Sequence, residues 1–230
     1  MKKYFIFIFT LINFSVNSQI KSGIVNYQVV ATENKNSELE KLMLSINPNY
    51  LTICKEFEFA LTFNSIEAIF KKTDKLYSDE SASSIGILKV GFNGNLIQKM
   101  DTVFQEISLD RLGNFIQKKK LLKKWNITIE NKDIDGYKCY KATAEVIVIN
   151  PKGTFKHPVI AWFCPAIPFS YGPNGFGGLP GLILELQTKD AVYGVNKIKL
   201  NIDDIKIDKL KNYKIVTEEQ LNNMVLDLHE

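Results

Sequence analysis

Residues 162–186 of the chain are WFCPAIPFSYGPNGFGGLPGLILEL. This stretch holds four of the seven prolines and five of the thirteen glycines, between two apolar, strand-like runs. Proline fixes one backbone dihedral and glycine permits conformations closed to other residues, so residues 165–181, the proline-glycine loop, are expected to have a defined shape. Among its side chains and those beside it, Cys164 and Glu185 are the candidates for a nucleophile and an acid. The stretch therefore predicts architecture and assigns no chemistry.

Two turns are expected within the loop. The order Leu-Pro-Gly-Leu at 179–182 fits a type II turn, because proline suits the second position and glycine the positive φ of the third. Residues 172–175, Gly-Pro-Asn-Gly, predict a second turn that lets Phe176 pack against the core. Trp162 and Phe163 alternate on the preceding strand, so one should be buried and the other exposed or covered by the loop.

Period-two alternation of apolar residues dominates the rest of the chain and predicts β-strands. The predicted strands are residues 24–30, 57–63, 65–70, 85–92, 96–100, 102–108, 114–117, 125–130, 137–149, 154–163, 182–188 and 193–207. A helix is expected behind a Ser37 N-cap, and another behind Thr217, which forms a capping box with Gln220. We predict one mainly β domain, residues 19–230: a single curved antiparallel sheet or half-barrel with one or two short helices.

The N-terminus has the pattern of a secretory signal peptide. Lys2 and Lys3 precede an apolar run of thirteen residues, 4–16, and a plausible cleavage site stands before Gln19. A bilayer core requires about 20 apolar residues, so a membrane anchor or a buried N-terminal element is less favoured. We expect residues 1–18 to be cleaved, the mature protein to be periplasmic or extracellular, and no transmembrane segment to remain.

The charge balance gives little sign of a polyanionic partner. The chain carries 29 basic and 25 acidic residues, so without Lys2 and Lys3 the net charge is +2. The dense basic run is Lys118-Lys119-Lys120 with Lys123-Lys124. We interpret it as a solvated hairpin end in preference to a nucleic-acid or lipid-headgroup patch, and we expect no nucleic-acid partner.

Three cysteines, Cys54, Cys139 and Cys164, leave at least one thiol outside any bridge within the chain. If residues 137–165 form a hairpin that turns at Pro151-Lys152, the numbers of facing residues sum to 303, which places Cys139 opposite Cys164. Their sulfur atoms would then be close enough to form a disulfide. A longer turn would shift the register, and two buried free thiols are the other outcome.

Motifs for catalysis and for metal binding are scarce. The two histidines are His157 and His229, and a strand position beside Pro158 favours a structural role for His157. A hydrolase-like site built from Cys164, His157 and Glu185 would require these groups to converge. The sequence contains no Cys-x-x-Cys, His-x-x-x-His or calcium-loop motif, and the glycines lead into a strand, so we expect no metal, nucleotide or other cofactor.

The proline-glycine loop also carries a family resemblance. Gly-Leu-Pro-Gly-Leu-Ile at 178–183 follows Ala161-Trp162-Phe163, and further back stand Gly136-Tyr137-Lys138-Cys139 and Lys141-Ala142-Thr143. On these residues the chain resembles, from about residue 125 to 200, the GLPGLI family of exported proteins from Bacteroidetes-type bacteria, which has no established function. Cys164 stands where that family more often has a polar residue. The resemblance implies location and lineage and transfers no catalytic residue.

Three functions are compatible with these features. We favour non-enzymatic binding of an apolar small molecule, a lipid or a partner protein of the cell envelope, on the concave face of the sheet or at the loop. The others are the hydrolase-like enzyme and an assembly component that pairs a strand at a sheet edge. The residues expected to form the binding lip are Trp162, Phe163, Ile167, Pro168, Gly172, Pro173, Phe176, Gly178, Leu179, Pro180 and Gly181.

Overall fold

The computed structural model describes residues 20–34, 36–150 and 153–226, so the predicted signal peptide lies outside the described residues. Within these ranges the chain forms twelve strands, four α-helices and a 3₁₀ turn. The strands are β1 (Ser22–Ala31), β2 (Glu58–Asn64), β3 (Glu67–Lys72), β4 (Leu96–Lys99), β5 (Thr102–Leu109), β6 (Gly113–Lys120), β7 (Asn126–Ile134), β8 (Tyr137–Asn150), β9 (Gly153–Cys164), β10 (Leu182–Gln187), β11 (Ala191–Leu200) and β12 (Lys214–Thr217). The helices are α1 (Glu38–Ile46), α2 (Tyr50–Cys54), α3 (Glu80–Lys89) and α4 (Glu218–Leu226), and the 3₁₀ turn is Pro173–Gly175.

The twelve strands of the described residues form one sheet, in the order β12-β6-β5-β4-β3-β2-β1-β11-β10-β9-β8-β7. Neighbouring strands are antiparallel except β12, which pairs in parallel with β6. The order contains two runs of strands that are consecutive in the sequence, β2 to β6 and β7 to β11, and β1 lies between them. The prediction of a mainly β protein with a single, mostly antiparallel sheet is confirmed. The sheet stays open, with β12 and β7 at its edges.

The hydrophobic core covers one face of the sheet, which we call the inner face. Phe59 lies at its centre, with ring centroids 5.2 Å from Phe70, 5.0 Å from Phe92 and 5.4 Å from Tyr193. The fully buried hydroxyl of Tyr193 donates a 2.8 Å hydrogen bond to the carbonyl of Val90, just after α3. A buried hydroxyl without an acceptor costs about 1–3 kcal/mol, so this bond fixes the position of α3 over the sheet.

Two predicted helices are confirmed by their caps. Ser37 accepts a hydrogen bond from the backbone amide of Glu40 at the start of α1. At the start of α4, Thr217 and Gln220 exchange hydrogen bonds of 2.9 and 3.2 Å, which is the predicted capping box. Each pair satisfies amide groups that a helix N-terminus otherwise leaves without partners.

Helix α3 occupies the position of a strand predicted at residues 85–92, and that prediction is wrong. Asp79 caps the helix by accepting a 2.8 Å hydrogen bond from the amide of Ala82. Gly86 allows close packing on α2, because a Cβ there would lie 3.1 Å from the sulfur of Cys54. A short, buried apolar run has similar composition in a helix and in a strand, so periodicity did not separate the two.

Strand β11 ends earlier than the alternation predicted. The predicted strand ran over residues 193–207, but β11 ends at Leu200. Asn201 and Asp204 follow with φ of +54° and +51°, a conformation that no continuing strand adopts. The segment beyond them crosses the outer face of the sheet, where Asp208 forms an ion pair with a lysine of β3.

Candidate functional site

The proline-glycine loop packs on the inner face of the sheet. Ile167 is fully buried, and the ring of Phe169 lies 4.8 Å from that of Phe63 in β2. The side chain of Gln98 in β4 donates a 2.9 Å hydrogen bond to the carbonyl of Ser170. The loop therefore fills much of the concave face as a plug.

Most residues of the predicted lip belong to this plug and lie inside the protein. The buried ones are Phe163, Ile167, Gly172, Pro173, Leu179 and Gly181; the half-buried ones are Trp162 and Phe176; the exposed ones are Pro168, Gly178 and Pro180. As predicted, one member of the Trp162–Phe163 pair is buried and the other lies on the opposite face, where the ammonium of Lys132 stands 4.5 Å from the Trp162 ring. Phe176 is a lip residue that lines a cavity.

The turn after Leu179 differs from the predicted type II turn. The amide of Gly181 donates to the carbonyl of Leu179 at 2.8 Å, which closes a three-residue turn. The amide of Leu182, which a type II turn would use, donates instead to Ile167 at 2.9 Å. Gly181 has the predicted positive φ, +156°, and a Cβ there would lie 2.3 Å from the carbonyl oxygen of Cys164. Docking of the loop onto β9 and β10 thus decides the turn.

A groove of about 570 Å³ remains beside the plug. It is bounded by the end of β6 and its connection to β7, the middle of β8, the start of α4 and the 3₁₀ turn. Because β6 and β8 lie far apart in the strand order, their meeting at one groove shows that the sheet curves until its two ends approach each other. The prediction of a single curved sheet or half-barrel is met by an open sheet that is not closed into a barrel. The apolar part of the lining is Leu121, Leu122, Val146, Ile147 and Phe176.

Lysines dominate the charged part of the groove. The charged lining residues are Lys119, Lys120, Lys123, Lys124, Glu145 and Glu218. Lys119 alternates with Phe115 and Gln117 along β6, so it extends over the inner face, where its ammonium donates a 2.9 Å hydrogen bond to Gln105. Burial lowers the pKa of Lys119, and the carboxylate of Glu218 acts in the opposite direction. The lysine run is therefore solvated as predicted except at Lys119, which is half-buried.

The predicted register of the long hairpin is confirmed. Strands β8 and β9 pair Tyr140 with Phe163 and continue to Ile149 with Thr154, pairs whose numbers sum to 303. Cys139 and Cys164 are next in this register, and the thiol of Cys139 donates a 3.5 Å hydrogen bond to the carbonyl of Tyr137. All three cysteines are buried free thiols in the structure, and a disulfide between Cys139 and Cys164 stays a prediction.

The residues of the hydrolase-like hypothesis do not converge. His157 and Cys164 are seven positions apart in the single extended strand β9, a separation of about 23 Å. Glu185 is held elsewhere, by two hydrogen bonds of 2.8 and 2.9 Å from the ammonium of Lys132. Without a base near the thiol, this set has no route to general-base activation of a nucleophile.

Metal-binding and membrane-spanning features are also missing from the described residues. Over residues 20–34, 36–150 and 153–226, no three His, Cys, Asp or Glu side chains lie together as a metal site requires. The helices in these same ranges are too short or too polar for any of them to cross a bilayer.

The fold and the groove together define an open, mainly antiparallel β-sheet protein with a plugged concave face. A family model described as a protein of unknown function (Porph_ging) matches residues 152–185, which contain β9, the loop and the start of β10. Two solved structures of PNGF-II are similar in fold, with TM-scores of 0.54 and 0.51 at 16% and 15% sequence identity. They match 90% of this chain, which spans about a third of their length, 33% and 32%. No curated protein matches the chain.

Proposed function

We propose that the protein is exported and acts as a non-enzymatic binding protein, whose groove takes a small molecule with an apolar body and one acidic group. The observation that supports this function is the meeting of Phe176 and Lys119 at one groove. Ligand sites usually measure roughly 300–1,000 Å³, and the groove measures about 570 Å³. Two other occupants of the groove are the alternatives: an uncharged apolar molecule and a partner protein.

The charges of the lining favour an acidic ligand. Four lysines and two glutamates face the groove, and the ammonium of Lys119 forms no ion pair within the described residues. A carboxylate that replaced the amide of Gln105 as its acceptor would form a charge-assisted hydrogen bond, which is about twice as strong as a neutral one. Lys119 is already partly desolvated in the free protein. Its ammonium would therefore lose little further hydration when a ligand binds.

The apolar lining favours a ligand with a hydrocarbon body. Phe176 is half-buried, and 58% of the Ile147 surface is exposed at the groove wall. Each square ångström of apolar surface removed from water contributes about 25 cal/mol to binding. A saturated chain lying between these side chains places its head group toward the lysines. Long-chain fatty acids have this combination of parts.

Titration calorimetry with lauric acid and with 1-dodecanol tests the proposal, because the two probes share a twelve-carbon chain and differ in charge. We expect the acid to bind at least tenfold more tightly than the alcohol. The alcohol cannot form the charged hydrogen bond to Lys119, and such a bond contributes about 1.5–3 kcal/mol. Lys119→Gln should remove the preference for the acid over the alcohol. Phe176→Ala should lower the affinity for both probes about tenfold.

Lys197→Gln is the matched control, because it removes one exposed lysine of β11 that does not line the groove. Its affinity for lauric acid should equal that of the unmodified protein. Failure of both probes to bind would contradict the proposal. Equal affinities for acid and alcohol would support the neutral-ligand alternative instead.

Export is tested by the N-terminus of the secreted product. Cleavage of the predicted signal peptide gives a chain that begins at Gln19. We expect intact mass spectrometry of protein from the periplasm or the medium to show this start. A chain that retains Met1 and stays in the cytoplasmic fraction would contradict export without affecting the groove.

A further inference from the structure

Two cysteines meet where the long hairpin joins the proline-glycine loop. Cys139 lies near the start of β8 and Cys164 is the last residue of β9. Both side chains are fully buried, and continuing the confirmed register by one pair beyond Tyr140 and Phe163 places them opposite each other. Directly opposed residues of an antiparallel pair have Cα atoms about 4.5–5.5 Å apart. That separation lies within the range of about 4.4–6.8 Å that disulfides span.

The two thiols have different surroundings. The thiol of Cys139 donates a 3.5 Å hydrogen bond to the carbonyl of Tyr137, and the amide of Ile167 donates to the carbonyl of Cys164 at 3.2 Å. The neighbouring thiol of Cys139 and the backbone amides after Cys164 lower the pKa of Cys164. The Cys164 neighbour and burial raise the pKa of Cys139. The two thiols therefore differ, with the pKa of Cys164 lowered and the pKa of Cys139 raised.

We propose that Cys139 and Cys164 form a reversible redox site, which a small-molecule disulfide oxidises to an intramolecular disulfide. The thiolate of Cys164 attacks one sulfur of the reagent, whose S–S bond breaks and releases the first thiolate, which takes up a proton. Cys139 then loses its proton to water and attacks the sulfur of Cys164, releasing the second thiol of the reagent. The pair loses two electrons and two protons, and the reagent is reduced to two thiols.

The location of the pair gives the oxidised form a structural consequence. Cys164 immediately precedes Pro165, so a bond to Cys139 ties the residue just before the plug to β8. Because both sulfurs are shielded in the folded protein, exchange requires a local opening of the end of β9. The rate of oxidation should therefore rise in denaturant concentrations below the unfolding transition.

Thiol counting tests this site. The reduced full-length protein is incubated with oxidised glutathione, unfolded in acid, alkylated, and weighed. We expect the number of alkylated cysteines to fall from three to one, with Cys54 modified and a peptide cross-linked between residues 139 and 164. Dithiothreitol in denaturant should restore all three. The oxidised form should also unfold at a higher denaturant concentration than the reduced form.

Two variants complete the experiment. Cys54→Ala should lower the count from two to zero, because Cys54 lies in α2, where its sulfur contacts the carbonyl of Gly86. Cys139→Ala should give no intramolecular bond. The unmodified protein alone decides the question if that variant fails to fold. Three alkylated cysteines after oxidation, a bridge that involves Cys54, or a persistent glutathione adduct on Cys164 would each overturn the proposal.

Discussion

Replacing Gly181 by alanine is expected to destabilise the protein by about 3–5 kcal/mol, enough to unfold many domains of this size. Its φ of +156° belongs to a region that residues with a side chain rarely adopt. A Cβ would also lie 2.3 Å from the carbonyl oxygen of Cys164, which is backbone and has no rotamer that avoids the contact. Urea unfolding followed by tryptophan fluorescence measures the effect.

Gly136→Ala separates the cost of a positive φ from the cost of the contact between a Cβ and the neighbouring backbone. Gly136 also has a positive φ, +77°, but no atom lies within 4 Å of a Cβ built there. Strain alone should then cost about 1–2 kcal/mol. Equal losses for the two variants would show that the close approach of residues 181 and 164 contributes nothing to stability.

Breaking the ion pair between Glu40 in α1 and Lys89 in α3 should cost about 3–5 kcal/mol. The two groups are 2.9 Å apart, and each side chain is only 6% exposed. Glu40→Leu would leave the ammonium of Lys89 buried, with Asp190 at 3.9 Å as the other carboxylate near it. It would also remove the acceptor of the Asn34 amide, 3.0 Å away. Urea is the denaturant of choice, because guanidinium is itself a salt.

The double variant Glu40→Leu/Lys89→Met should lose less than the sum of the two single variants, with a coupling energy of at least about 2 kcal/mol. The control is Glu38→Gln, because Glu38 pairs with Lys41 at 2.7 Å on the surface of the same helix. That pair is 86% and 58% exposed, so the change should stay within about 0.5 kcal/mol. Additive losses at residues 40 and 89 would refute a coupled pair.

The sheet could be predicted from the sequence because its strands alternate and its turns are marked. In the long hairpin one assumption, reversal at Pro151-Lys152, fixed the facing pairs, and the structure shows the same pairs from Tyr140 with Phe163 onward. Side chains with a period of two leave little freedom once a turn is placed. Helix α3 escaped prediction because its residues carry no clear helical stripe, although Asp79 followed by Glu80 is an N-terminal signal.

The groove could not be predicted, because it forms where segments distant in sequence meet. The density of lysines predicts a solvated run that includes Lys119, yet alternation from the buried Phe115 places Lys119 on the inner face. The plugging of the concave face left no comparable trace, since it depends on the docking of Ile167 and its neighbours against β2 and β4.

The position of β1 has a consequence for the order in which the chain assembles. Strands β2 to β6 and β7 to β11 each connect neighbours in sequence, so each group is able to form by local pairing, which is fast. Across the described residues, the hydrogen-bonded ladder between the two groups passes through β1, where Tyr27 faces Phe59 on one side and Val195 on the other. The first strand in the sequence, β1, thus gains one of its two hydrogen-bonded neighbours only when β11, near the end of the chain, pairs with it. We expect two locally folded halves whose joining, with its large loop-closure entropy, limits the folding rate.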